Sequence, residues 1–250
     1  MIKKLGVQLY TIRDTMNNAE NIRASFKKLK ELGYDQAQTA GCAIPYTEFG
    51  KIAAEEGIEI IGTHDDFGKM VNDFEGALAD HQALGCKIMG VGGAGGHSTA
   101  AEWMEYVGQV NDLAKKLAPL GMTYTYHNHS HEFIKLDNGQ TVMELLMENL
   151  IPGANFCLDT YWVQHGGGDV RHLIEKLTGR LDVLHLKDMG RNDNGQFITE
   201  IGNGGLWWEG IIDAAEKAGV KYYVVEQDTR PGDPFESLKI SSEYIHKNFM

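Results

Sequence analysis

Five short segments punctuate the chain in the same way: ELGY around Gly33, EEGI around Gly57, ALGC around Gly85, PLGM around Gly121 and KAGV around Gly219. Each follows a stretch with helical spacing and runs straight into a short apolar run. Glycine adopts the left-handed conformation that closes a helix, so each segment reads as a helix end placed just before a strand. A strand that follows a helix that follows a strand implies a parallel sheet, because parallel neighbours need a crossover connection.

Apolar runs suited to strands lie at 5–10, 34–38, 58–63, 86–91, 122–127, 155–159, 181–186 and 221–226. Helix candidates fall near 19–32, 47–56, 70–84, 99–118, 140–149, 169–178, 208–218 and 234–247. In the first of these, Ile22, Phe26, Leu29 and Leu32 recur at three- and four-residue steps and line one face. Eight such units in 250 residues fit a closed (β/α)8 TIM barrel, with an open doubly wound sheet as the competing architecture. No Pro-, Gly- or Ser-rich linker interrupts the pattern, so residues 1–250 read as one domain.

Charge and composition narrow the partners. The formal net charge of −12 argues against a nucleic-acid partner, since affinity for phosphates comes from Lys and Arg. No run of 18 apolar residues suggests a membrane span, and MIKKLGVQLY lacks the apolar core of a secretory signal, so a cytoplasmic address is expected. Cys42, Cys86 and Cys157 are scattered without CxxC spacing and read as reduced thiols packed in the core.

In a parallel barrel the chemistry collects at the C-terminal strand ends. Those ends carry Gln8 and Tyr10, Gln38, His64-Asp65-Asp66, His127-Asn128-His129, Asp159, His185 and Glu226. Asp159, His185 and Glu226 terminate three successive strands, which lie about 5 Å apart, so their side chains can converge on one ion with a fourth ligand from the fifth strand. A mixed oxygen and nitrogen set suits one divalent ion of Mn2+, Zn2+, Co2+ or Fe2+ better than Ca2+. The plain alternative is that each is a solitary buried polar group, but a buried carboxylate pair without a cation is costly. GVGGAG at 90–95 matches a dinucleotide loop, yet no acidic residue ends the next strand as that site requires. QHGGGD at 164–169 reads as a rim or tight turn, and neither loop ends as a P-loop does.

The segments GVQLYTIRD (6–14), YHNHSHEF (126–133), CLDTYW (157–162), VLHLKDMG (183–190), IGNGGLWW (201–208) and VVEQD (224–228) together resemble the xylose-isomerase-like barrel superfamily, in its sugar phosphate isomerase/epimerase branch. The resemblance covers nearly the whole chain. It implies one divalent metal held by His127, Asp159, His185 and Glu226, with His129 as the rival ligand on the fifth strand. Many relatives carry Glu where this chain has His127, and related epimerases exchange the substrate proton through two metal-bound carboxylates. With His127 in that place, Glu226 keeps one of those positions, and Glu132, His129 or Lys187 would supply the second proton-transfer group. Arg191 matches an arginine that relatives use to hold substrate hydroxyls. Gln8 and His64 are further substrate-binding candidates, although His64 reads equally well as a satisfied loop histidine. Of Trp207 and Trp208, one walls the pocket and the other packs the following helix.

The expected activity is isomerisation or epimerisation of a sugar or sugar derivative, in which a Lewis acid stabilises an enediolate and a base reaches the adjacent C–H. The same machinery supports a lyase or hydratase acting on a keto-sugar or keto-inositol. An endonuclease IV-like enzyme and a non-catalytic barrel are the remaining alternatives. The first needs more metal ligands and a basic surface; the second predicts no bound metal. No basic cluster for a phosphate is visible, which favours a non-phosphorylated substrate. A homodimer, common among relatives, is one expected assembly.

Overall fold

The computed structural model describes residues 1–229 and 232–250. Ten strands occur among them: β1 (Leu5–Gln8), β2 (Gln36–Thr39), β3 (Glu59–Thr63), β4 (Ile88–Val91), β5 (Thr123–His127), β6 (Ala154–Asp159), β7 (Leu181–Leu186), β8 (Asp188–Asn192), β9 (Gly195–Thr199) and β10 (Tyr222–Val225). The helices are α1 (Ala19–Glu31), α2 (Tyr46–Glu55), α3 (Phe67–Asn72), α4 (Phe74–Leu84), α5 (Ala100–Leu117), α6 (Val142–Asn149), α7 (Thr160–His165), α8 (Val170–Lys176), α9 (Trp208–Ala218) and α10 (Pro234–Phe249).

Eight of the strands pair in parallel in the order β3-β2-β1-β10-β7-β6-β5-β4, with the connecting helices outside: a TIM barrel. The five expected helix-ending glycines, Gly33, Gly57, Gly85, Gly121 and Gly219, all have φ between 64° and 88°. The seam between β3 and β4 is carried by the Asp65 N–H donating to the Gly90 carbonyl at 2.9 Å and the Gly90 N–H donating to Thr63 Oγ1 at 3.4 Å. A Cβ on Gly90 would lie 2.3 Å from the Thr63 carbonyl oxygen, so only glycine lets the strands approach this closely there.

Strands covered on both faces bury continuously, and β1, β2, β4, β6 and β7 are buried at every position. Capping boxes at Thr99/Glu102 and Thr141/Glu144 start α5 and α6 by satisfying free backbone N–H groups. Ile61, Ile88, Cys157, Val183 and Val224 form a separate buried cluster drawn from β3, β4, β6, β7 and β10. Successive strand residues face alternately, so two residues further along β6, β7 and the β10 exit the same interior column meets Asp159, His185 and Glu226. The apolar layer is the floor on which the polar cluster stands.

Three local features differ from the expected element list. The helix expected at 70–84 is two helices, because Asp73 (φ −135°, ψ 61°) leaves helical geometry and its side chain caps Gly76 N–H. Asp159 caps an additional helix, α7, by accepting the Trp162 N–H at 2.9 Å. An antiparallel hairpin, β8–β9, is inserted after β7, with a turn through Asp193 and Asn194 closed by the Asn194 N–H on Asn192 Oδ1. The three cysteines are free, Cys86 and Cys157 buried and Cys42 partly so. Among the described residues no helix is long and apolar enough to cross a membrane.

Candidate active site

Side chains from the C-terminal ends of β5, β6, β7 and the exit of β10 meet at the top of the barrel interior. One ligand atom from each of His127, Asp159, His185 and Glu226 lies within 4.8 Å of the others, and all four residues are buried. His127 Nε2 is 3.4 Å from Asp159 Oδ2 and 3.9 Å from Glu226 Oε2. His185 Nδ1 is 2.8 Å from Glu226 Oε2 and 3.7 Å from Asp159 Oδ2. Register explains the convergence: Asp159 pairs with His185 across β6–β7, and His127 pairs with Cys157, two residues before Asp159 and so on the same strand face.

Lys187 is fully buried beside this group. Its Nζ lies 2.7 Å from Asp159 Oδ2, 2.9 Å from Glu226 Oε2 and 3.0 Å from Asp228 Oδ2. Burial would lower the Lys187 ammonium, but Asp159, Glu226 and Asp228 together raise it above its ordinary value, so it stays charged. Burial likewise works against the Asp159 carboxylate, and Lys187, His127 and His185 reverse that and hold it well below its ordinary value. Glu226 follows the same balance, with Lys187 and His185 as the main counterweights. His185 is raised well above its ordinary value, against burial, by Cys157, Glu226 and Asp159.

The donor set fits a divalent cation. The buried carboxylates of Asp159 and Glu226 and the partly buried one of Asp228 face one ammonium, Lys187, so with His185 neutral, as a ligand must be, two negative charges remain in a low-dielectric site. Two carboxylates and two imidazoles are a mixed oxygen and nitrogen set of the kind that holds first-row divalent ions.

A cavity of about 370 Å3 opens above the cluster, lined by Tyr10, His64, His127, His129, Glu226 and Asp228 among others. His64 is partly buried and held well below the ordinary histidine value, first by desolvation and then by His127 and His185, so it is a neutral ring. His129 is lowered to about 3 by burial, with His127 and Lys187 adding to the effect. Its Nδ1 is buried without a protein partner, as are His64 Nε2 and His127 Nδ1.

The other expected site residues fall in different places. Glu132 is buried behind the cavity wall, where Oε1 accepts from Tyr126 OH at 2.7 Å and Oε2 from the His129 N–H at 2.8 Å. It anchors the His129 backbone. Gln8 is buried one layer away and reaches the cavity only through His64 and Gln38. Arg191 is exposed on β8, in the hairpin. Trp207 is 60% exposed, with the Arg171 guanidinium 4.8 Å above its ring, and lines a separate surface cleft. Trp208 packs in the core and donates its Nε1–H to Asp188, whose carboxylate also accepts backbone N–H groups of Gly202, Gly204 and Leu206 and thereby shapes the IGNGG loop. Asp228 is the lining residue that strand-end reasoning missed. Its signal was the two-residue step from Glu226 in VVEQD.

Comparison with known proteins agrees with this architecture. Residues 26–247 match the family model of the xylose isomerase-like TIM barrel. An inosose dehydratase of Geobacillus thermodenitrificans is 28% identical over 170 residues, covering 60% of this chain and 55% of that protein. The chain spans about half the length of the curated relatives it matches. Among solved structures, a sugar phosphate isomerase/epimerase from Parabacteroides distasonis superposes with a TM-score of 0.85 at 21% identity, covering 100% of this chain and 96% of that one. The probable 3-DHS dehydratase AsbF of Bacillus anthracis superposes at 0.76 with 15% identity, over 99% of this chain and 100% of that one.

Proposed function

Because the chain belongs to the xylose isomerase-like TIM barrel family, we propose that it is a divalent-metal-dependent isomerase or epimerase of a neutral, carbonyl-bearing sugar or sugar derivative, working by proton transfer next to the carbonyl. The observation that carries this reading is the convergence of His127, Asp159, His185 and Glu226 beneath an open cavity. These four residues hold the metal, Mn2+, Zn2+, Co2+ or Fe2+, which supplies Lewis acidity towards a carbonyl and its neighbouring hydroxyl.

The protein's own groups do the rest. Glu226 takes the carbon-bound proton, and His129 is the second proton-transfer group in contact with the cavity. Lys187, kept charged by three carboxylates, offsets negative charge that develops beside the cluster. Among the described residues lining the cavity none is Lys or Arg, and Lys187 is already engaged by carboxylates, which supports a substrate without a phosphate.

One observation favours a second outcome, loss of water from a keto-sugar or keto-polyol. The ligand from β5 is His127, whose lone pair would be committed to the metal, so of the ligand carboxylates only Glu226 lines the cavity and is able to exchange a proton there, where a two-base epimerisation uses two. The relative named inosose dehydratase points the same way. Incubating candidate keto-sugars and cyclic polyol ketones with the Mn2+-loaded protein in D2O and following them by NMR separates the two. Isomerisation or epimerisation places solvent deuterium on the carbon beside the carbonyl with the formula otherwise unchanged, whereas elimination removes one water. If no candidate shows either change under saturating Mn2+, Zn2+ or Co2+, the enzymatic reading fails.

A further inference from the structure

Two of the orphaned atoms trace back to a chain of hydrogen bonds that begins at a backbone amide. The Tyr10 N–H donates to Gln8 Oε1 at 3.2 Å. A backbone N–H can only donate, so the Gln8 carbonyl faces Tyr10 and its amide nitrogen faces the other way. That nitrogen, Nε2, lies 3.1 Å from Gln38 Oε1 and 3.3 Å from His64 Nδ1. Both partners must therefore accept. His64 then carries its proton on Nε2, the buried atom with no protein partner, at the edge of the cavity. Gln38 Oε1, already accepting from Gln8, lies 2.6 Å from His185 Nε2, so that nitrogen must donate. When a cation takes the place of the His185 Nδ1 proton, which faces Glu226 Oε2 and Asp159 Oδ2, the lone pair left on the ring is consequently on Nδ1.

Resting on the metal and substrate reading above, we infer that Gln8 and Gln38 are positioning residues that set the tautomers of two histidines at once, so that His185 offers a lone pair to the cation and His64 offers an N–H to a substrate oxygen. The arrangement is economical in its logic. An N–H on His185 Nδ1 would block ligation, and a lone pair on His64 Nε2 would repel a carbonyl or alkoxide oxygen. One amide orientation, dictated by the Tyr10 N–H, prevents both. A neutral imidazole donor of this kind stabilises charge as it develops on oxygen without needing to give up its proton.

The test is side-chain 15N NMR on the full-length protein labelled at histidine, with and without Zn2+. His64 should show a protonated Nε2 and an unprotonated Nδ1. In Gln8→Glu the carboxylate can only accept, so the His64 proton should move to Nδ1. Gln38 should then turn its amide donor towards His185, placing that ring's proton on Nδ1 and weakening Zn2+ binding by about 10–100-fold in calorimetry, although Gln8 touches no ligand. Should Gln8→Glu fail to fold, Gln8→Met removes the donor and should leave His64 without a single tautomer. A wild-type His64 protonated on Nδ1, or a His64 signal unmoved in both variants, overturns the inference. Zn2+ failing to bind a wild-type protein whose tautomers are as assigned supports the relay and overturns the metal reading, so the two failures are distinguishable.

Discussion

The same four strands end in two polar groups of opposite character. At their N-terminal ends Thr123, Asn155, Asp182 and Lys221 meet around one buried carboxylate: Asp182 accepts from Asn155 Nδ2 at 2.8 Å, Thr123 Oγ1 at 3.1 Å and Lys221 Nζ at 2.7 Å. At their C-terminal ends His127, Asp159, His185 and Glu226 crowd two carboxylates together, with Asp228 close by and three ring nitrogens without partners. The lower group is complete in itself, one acceptor for three donors. The upper group leaves carboxylate charge and ring nitrogens unpartnered, which the proposed cation and substrate oxygen would complete. The central carboxylates, Asp182 below and Asp159 and Glu226 above, are all buried, so the difference teaches that a buried polar cluster signals function when its own atoms leave hydrogen-bonding and charge unsatisfied.

The largest effect that can break this comparison is at Asp159. Asp159→Asn keeps the side chain that caps α7 but removes a negative charge, and should weaken divalent-metal binding by at least about tenfold and turnover by about 100-fold or more. The parent should gain about 2.7 kcal/mol of unfolding free energy at a metal concentration 100 times Kd, and the variant, binding tenfold more weakly or worse, should gain no more than about 1.4 kcal/mol at the same concentration. Thermal unfolding with and without chelator reads both. A parent with no metal-dependent shift would put the two ends of the strands on the same footing.

Asp182→Ala should do the reverse. It strands the Lys221, Asn155 and Thr123 donors, costing roughly 1–3 kcal/mol, or a melting shift of about 2–4 °C per kcal/mol for a domain of this size. Metal affinity should be unchanged. Loss of metal binding in this variant would show that the lower group supports the upper one and is not independent of it.

The smallest effect lies in the wall between the two ends. His81 is buried, its Nδ1–H donating to the Ala77 carbonyl at 2.7 Å and its Nε2 accepting from Thr63 Oγ1 at 2.8 Å. Burial lowers its pKa from 6.5, against the opposing pull of the Ala77 carbonyl and Asp65. The unfolded chain therefore binds a proton first on acidification. The His81 contribution to stability is fully present above pH 6.5, declines as pH falls below it and levels off once the folded ring protonates. Urea unfolding between pH 5 and pH 8 should show a shallower acid slope in His81→Gln than in the parent; an unchanged slope would remove His81 from the account.

The barrel was legible because its signals are local. The five helix-ending glycines and the run of short apolar segments reflect backbone conformation and burial that each segment imposes on itself, and every expected barrel strand is present. The hairpin at Asp188–Thr199 was missed since its strands carry few apolar residues, Met189, Phe197 and Ile198, with no apolar alternation to announce them. Asp73 split a helix that periodicity had joined, through a side-chain hydrogen bond that hydrophobic spacing does not record.

For the site, residue type and strand-end position nominated Asp159, His185, Glu226 and a fourth ligand from the fifth strand, because strand alternation and parallel order carry those side chains to one place; the family resemblance, not position, put His127 ahead of His129. Nothing in the sequence distinguished Glu132, tied to Tyr126 and the His129 backbone, from Asp228, which faces the cavity through its Lys187 contact. Nor did it reveal that a glutamine pair orders two histidine rings, or that Arg191 and Trp207 stand away from the cavity. Those facts depend on the direction of individual side chains across strands far apart in the chain, and only tertiary packing sets them, since a hydrogen bond between Gln8, Gln38 and His185 has no counterpart in any local stretch of sequence.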